Sequence, residues 1–152
     1  MTQIIIEEIN DEIKLSKNGE IIYEAAMRVY NQLGYGLSEN AYQNALSVEL
    51  FDLGNSVQTE YHVSQYYISS LGRRIQVADL RIDILLNDNI ILELKTVSTK
   101  LDKRDKKTGK RKMEDIKKII QYKQCNRYKK LLNIDEGYLI NFGEKGLDFI
   151  LV

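Results

Sequence analysis

Arg81-Ile82-Asp83-Ile84-Leu85-Leu86-Asn87-Asp88-Asn89-Ile90-Ile91-Leu92-Glu93-Leu94-Lys95 is the stretch that decides how this chain folds. Two apolar runs, 80–86 and 90–97, flank Asn87-Asp88-Asn89, whose side chains favour tight turns, so the runs should pair antiparallel through a short loop. In that register Leu86 faces Ile90 and Asp83 faces Glu93. Side chains directly opposed on one sheet face sit roughly 5 Å apart at Cβ, and two carboxylates there repel unless something positive lies between them. A divalent cation would meet that need. Lys95 follows Glu93 by two positions and projects from the same face about 7 Å along the strand. Carboxylates that hold a cation beside an ammonium can activate water and stabilise charge on a phosphoryl group, a combination that suits phosphodiester hydrolysis. The same residues also admit a plainer account, with Asp83 a solvated strand residue and Glu93–Lys95 a surface ion pair of small energetic worth.

Upstream, Glu39 opens a helical segment with Tyr42, Leu46, Leu50 and Leu53, whose spacings of three and four place all five on one stripe. Glu39 is therefore expected to point towards the core, where a carboxylate is costly unless paired or metal-bound. Its partner could be a metal, or a Lys or Arg; alternatively the carboxylate caps a helix start near Gly36.

Gly36-Leu37-Ser38-Glu39-Asn40-Ala41-Tyr42, continued by Ala45-Leu46 and Glu49-Leu50, resembles the GxxExxY proteins. The likeness spans roughly residues 17–152. It takes in Gln32-Leu33-Gly34, Glu60, Asp83 with Glu93-Leu94-Lys95, Gln124 with Tyr128, and Leu139-Ile140-Asn141-Phe142-Gly143. That family in turn resembles the PD-(D/E)XK nuclease superfamily. The resemblance implies an α/β fold of the restriction-endonuclease-like kind, a central mixed sheet flanked by helices, and Mg²⁺ as cofactor with Mn²⁺ as substitute; 152 residues, 43% of them hydrophobic, suit one such domain over 1–152. It also implies Glu39, Asp83 and Glu93 as metal ligands, directly or through water, Lys95 as the catalytic lysine, and Gln124 as an auxiliary site residue. The Leu94 carbonyl is a plausible further ligand, since backbone carbonyls are acceptable oxygen donors. Gln124 and Tyr128, four apart on a helix, share a side; their alternative is a polar residue and an aromatic at a helix–sheet boundary. Where similar proteins often carry a His one turn earlier, this chain has Gln121, which cannot exchange a proton near neutrality.

A second departure is an apparent basic insertion around 98–112. Residues 100–118 hold ten Lys or Arg against four Asp or Glu, a net +6, so the remainder of a chain with zero net charge carries −6. Clustered Lys and Arg attract phosphate backbones without sequence preference, which makes Lys103, Arg104, Lys106, Lys107, Lys110, Arg111 and Lys112 candidate nucleic-acid contacts. The competing account of such a run is a solvated loop.

Composition excludes several chemistries. Cys125 is the lone cysteine and His62 the lone histidine, which removes internal disulfides, four-cysteine metal sites and His-rich nuclease classes. Neither a Gly-x-Ser-x-Gly elbow nor a nucleotide-triphosphate loop is present. The Ile4-Ile5-Ile6 run is too short to span a membrane and lacks a basic flank, so it reads as a small strand or arm, and an intracellular, soluble protein of the cytoplasm, nucleoid or a viral factory is expected.

Periodicity places helices at 16–33, with Ile22, Ala26, Val29 and Leu33 on the buried side, at 38–53, and at 113–132. Strands fall at 57–68, 75–86, 90–97, 138–142 and 147–152, with the site at the sheet edge where the strands bearing Asp83 and Glu93 emerge. The expectation is a metal-dependent nuclease acting on DNA rather than RNA, with no membrane partner and a possible homodimer. Its competitor is an inactive nuclease-fold domain that binds nucleic acid or protein.

Overall fold

The computed structural model describes residues 5–7, 12–97 and 119–152, with side chains over 15–97 and 119–152. The Asn87-Asp88-Asn89 turn forms as its side chains dictate. Asn87 and Asp88 take positive φ of 53° and 60°, a conformation Asn and Asp tolerate, and the Asn89 amide closes the turn on the Leu86 carbonyl at 3.1 Å. The turn joins β4 (Arg74–Leu86) to β5 (Ile90–Lys95), in the expected register Leu86↔Ile90, Leu85↔Ile91, Ile84↔Leu92. Before β4 in the chain come β1 (Ile5–Glu7) and β2 (Glu12–Lys14), which pair with each other in a separate two-stranded sheet, then helices α1 (Lys17–Leu33) and α2 (Glu39–Asp52), and strand β3 (Val57–Ile68). After β5 come helix α3 (Ile120–Leu132) and strands β6 (Glu136–Gly143) and β7 (Gly146–Leu151).

The main sheet has the order β3-β4-β5-β6-β7, antiparallel throughout except for the parallel β5–β6 pair. A parallel neighbour needs a crossover, and the crossover includes α3. The fold is thus the α/β arrangement expected, a mixed sheet flanked by helices. α1 and α2 cover one face: Ile22, Ala26, Tyr42 and Leu46 join Ile84, Leu86, Leu92 and Ile140 in one core cluster. On the other face, Cys125 and Tyr128 of α3 pack on Leu85 and Ile91. Neighbouring β5 residues alternate between these clusters, which is why a strand buried on both faces reads as a continuous apolar run.

Three expectations are corrected. Leu33 ends α1 partly exposed, and Leu53 is 57% exposed because α2 stops at Asp52, leaving Leu53 as the C-cap off the buried stripe of Tyr42, Leu46 and Leu50. Glu39 is exposed and does not point into the core. The basic insertion lies outside the described residues, as does the start of the helix expected at 113–132. Among the described residues no helix is long and apolar enough to cross a membrane.

Candidate active site

Regular β4–β5 pairing ends at Ile84↔Leu92, and side chains take over at the next position. The Asp83 amide donates to Glu93 Oε1 at 3.2 Å, and the Leu94 amide donates to Asp83 Oδ2 at 2.7 Å. The two carboxylates face one another across the strands, each fixed by backbone of the other's strand. Strand alternation fails at the same place. Ile82 packs with the α3-side cluster, whereas Ile84 belongs to the cluster beneath α1 and α2; alternation alone would put both on one face. β4 therefore turns over at Asp83, the kind of local irregularity that re-aims a side chain.

The neighbouring strand shares in that irregularity. Glu60 of β3 falls between the pairs Thr59↔Ile84 and Tyr61↔Ile82, which brackets it opposite Asp83, and its φ is +53°, left-handed for a residue with a Cβ inside a strand. Its carboxylate is held by Arg81 Nη1 at 2.7 Å and by the amide of buried Gln43, one turn beyond Glu39 on α2, at 3.5 Å. Three acidic residues thus stand side by side on adjacent strands. Glu60 is among the residues that carry the family resemblance but had no assigned part in the site. The signal that could have set it beside Asp83 is the β3–β4 register, hidden by a one-residue shift between Gln65 and Tyr66.

Electrostatics agree with this crowding. Burial, then repulsion from Asp83, push Glu93 up to about 8, with Lys95 opposing and Glu39 adding to the rise. Asp83 is also raised, chiefly by burial, against the lowering effect of the Leu94 amide bond, with Glu39 and Glu60 contributing further repulsion and Lys95 relief. Glu93 is only 3% exposed. Among the described residues, no Lys or Arg nitrogen forms an ion pair with Asp83 or Glu93.

The supports on either side are specific. Ser38 caps α2 by accepting the Ala41 amide at 3.2 Å, so the helix begins at Glu39. The buried Tyr42 ring stacks on Phe142 at 4.4 Å; its hydroxyl donates to the Gly34 carbonyl and accepts the Leu37 amide at 3.3 Å. Tyr42 thereby ties down the loop entering α2, in which Gly36 takes a φ of +116° that favours glycine. Beyond Lys95, the Asn141 side chain accepts the Val97 amide at 2.8 Å and donates to the Val97 carbonyl at 3.1 Å. That clasp fixes the path of the chain as it leaves β5.

Gln124 stands on α3 and donates to the Tyr128 hydroxyl at 3.0 Å, so the two do share a side. Burial, with repulsion from Glu93 and Asp83, pushes the Tyr128 phenol up to about 12, and the ring packs with Ile82, Leu85 and Ile91 of the strands that carry the carboxylate pair. The structure therefore brings Asp83 and Glu93 together, with Lys95 two residues along β5, sets Tyr128, to which Gln124 donates, against the same two strands, and leaves Glu39 exposed at the start of α2. Among the described residues, no group of three or more acidic, His or Cys side chains converges as a ready-made metal site. Lys103, Arg104, Lys106, Lys107, Lys110, Arg111 and Lys112 lie outside the described residues.

No curated protein matches the sequence. Among solved structures, the chain is similar to one described as "Crystal structure of SSO0001", with 14% identity over 91% of this chain and 77% of that chain, and a TM-score of 0.41. The family model of the PD-(D/E)XK nuclease superfamily matches residues 16–114, a span that holds Glu39, Glu60, Asp83, Glu93 and Lys95. The chain belongs to the PD-(D/E)XK nuclease superfamily.

Proposed function

We propose that this protein is a metal-dependent nuclease of the GxxExxY kind that hydrolyses phosphodiester bonds in nucleic acid, DNA in preference to RNA. The observation that carries the reading is the interlocked Asp83–Glu93 pair: two half-buried or buried carboxylates, side by side, raised in pKa and without a cationic ion-pair partner among the described residues. Such a pair is costly in isolation and favourable around a hard cation. The donor set fits Mg²⁺, with Mn²⁺ as substitute: Asp83, Glu93 and the Leu94 carbonyl would hold the ion, and Glu39 would reach it through water. Bound there, the ion would supply a lowered water pKa and charge neutralisation at the phosphoryl oxygens.

The chain's own residues have distinct tasks in this scheme. Asp83 and Glu93 fix each other's orientation through the Leu94 and Asp83 amides. Lys95, on the same strand as Glu93, orients the attacking water or offsets the charge that builds on phosphorus. Gln124, braced by Tyr128, presents an amide to the substrate or water beside them.

Metal binding and cleavage separate these roles. Calorimetry with Mn²⁺ should show binding to wild type and to Lys95→Ala, but not to Asp83→Ala or Glu93→Ala, while all three variants lose cleavage of DNA. A wild-type protein that binds no Mn²⁺ and leaves every substrate intact would overturn the catalytic reading in favour of a nuclease-fold binding module.

A further inference from the structure

A groove of about 380 Å³ lies beside the candidate site, lined by Leu80, Ile120, Lys123, Gln124, Arg127 and Tyr128. Leu80 stands three residues before Asp83 on β4, and Tyr128 packs in one cluster with Leu80, Ile82 on the near side of Asp83, and Ile91 two residues before Glu93, so the groove borders the strands that carry the site. Its composition is divided. Leu80, the Tyr128 ring and the Ile120 side chain, 79% exposed at its end, form an apolar wall. Lys123 and Arg127 are exposed along the rim, and among the described residues neither takes part in an ion pair. α3 carries Lys123, Arg127, Lys129 and Lys130 and no acidic residue.

The spacing of those charges is that of a strand. Lys123 and Arg127 are one helical turn apart, about 6 Å along the axis, comparable with the step between successive phosphates of an extended nucleic-acid backbone. Gln124 lies between them; its amide gives one N–H to the Tyr128 hydroxyl, which leaves the second N–H to donate to a base edge and the oxygen to accept from one. An apolar wall, an amide and flanking cations are what an unpaired nucleotide requires, whereas a base stacked and paired within a duplex cannot turn its face to such a wall.

We infer that this groove holds an unpaired nucleotide adjacent to the scissile phosphate, with Lys123 and Arg127 on the flanking phosphates, and that the substrate is therefore single-stranded nucleic acid or an unpaired end or flap. The inference rests on the nuclease reading for the place of the scissile phosphate at Asp83 and Glu93. The binding it describes does not depend on catalysis.

Fluorescence anisotropy in EDTA, with labelled single-stranded DNA, single-stranded RNA and the matching DNA duplex, tests it. A single strand should bind at least ten-fold more tightly than duplex, and whichever of the two single strands binds better assigns the sugar. Lys123→Ala/Arg127→Ala should weaken single-strand binding ten-fold or more and reduce the slope of log affinity against log salt by about 1.4, for two lost phosphate contacts. Ile120→Ser, at an exposed position, should weaken it several-fold with the salt slope unchanged. Duplex bound as tightly as single strand, or a double variant with unaltered affinity and slope, would overturn the inference. Single-strand binding that follows these variants in a protein that never cleaves would sink the nuclease reading alone, and cleavage indifferent to them would sink the groove alone.

Discussion

Asp83 accepts the amide hydrogen of Leu94 at 2.7 Å, and through that bond a carboxylate stands where a backbone carbonyl would continue the β4–β5 ladder. The ladder gives up one regular pair so that Asp83 and Glu93 can be held against each other. What the fold loses in regularity it concentrates as electrostatic stress at the one position the proposed chemistry needs.

That stress has a pH signature. Glu93 titrates near 4.5 when unfolded and about 8 when folded, so between those values the folded state binds more protons than the unfolded state. The stability tied to this group is fully present below about pH 4.5 and is lost as pH rises through about 8, at up to ~1.4 kcal/mol for each pH unit. Metal-free protein should show this decline in urea unfolding between pH 5 and 8. Glu93→Gln should be the more stable protein near pH 8 and show a flatter profile, leaving the contribution of Asp83. Saturating Mn²⁺ should flatten the wild-type profile, because a metal ligand must be ionised. A wild type and Glu93→Gln with parallel profiles would contradict the assignment.

Tyr42→Phe keeps the ring on Phe142 and removes the hydroxyl that joins Gly34 to Leu37. The expected cost is about 1–3 kcal/mol, from one lost bond to each backbone group. Because the loop it ties leads straight into Glu39, metal affinity should fall as well, by a factor that Phe142→Leu, which disturbs the ring and not the hydroxyl, does not reproduce. Thermal unfolding and Mn²⁺ calorimetry on the two variants measure both effects.

Asn141 clasps both polar groups of Val97, and its amide also donates to buried Asp148 at 3.1 Å. Asn141→Ala should destabilise by about 2–3 kcal/mol, since it strips one bond from buried Asp148 and two from the part-buried backbone of Val97. It should also reduce turnover more than metal affinity, because Val97 lies two residues past Lys95 while Asp83 and Glu93 keep their mutual bonds. Equal losses in turnover and in Mn²⁺ affinity would count against a positioning role through Lys95.

The legible part of this fold was local. Asn87-Asp88-Asn89 fixed one register from residue types alone, and with it the juxtaposition of Asp83 and Glu93, because a short turn leaves the strands no freedom to slip. The place of Glu60 in the site was illegible for the opposite reason. Its place opposite Asp83 depends on a shift between Gln65 and Tyr66, and counting back from the Ile68↔Arg74 pair without that shift would set Glu60 against Ile82. The depth of Glu39 was misjudged because helical spacing places it in line with Tyr42, Leu46 and Leu50, yet it is the first residue of the helix and is exposed there. The groove beside α3 could not be foreseen either, since it joins Leu80 to residues forty or more positions later through the β5–β6 crossover.

Hydrolysis at Asp83, Glu93 and Lys95 is tested by a time course of nucleic-acid cleavage by purified wild type beside Glu93→Ala, on single-stranded, duplex and branched DNA and on RNA, in Mg²⁺, in Mn²⁺ and in EDTA. Cleavage should require the metal, run fastest on an unpaired DNA strand, and be absent from Glu93→Ala. Wild type and Glu93→Ala equally inert on every substrate, or equally active, would contradict it.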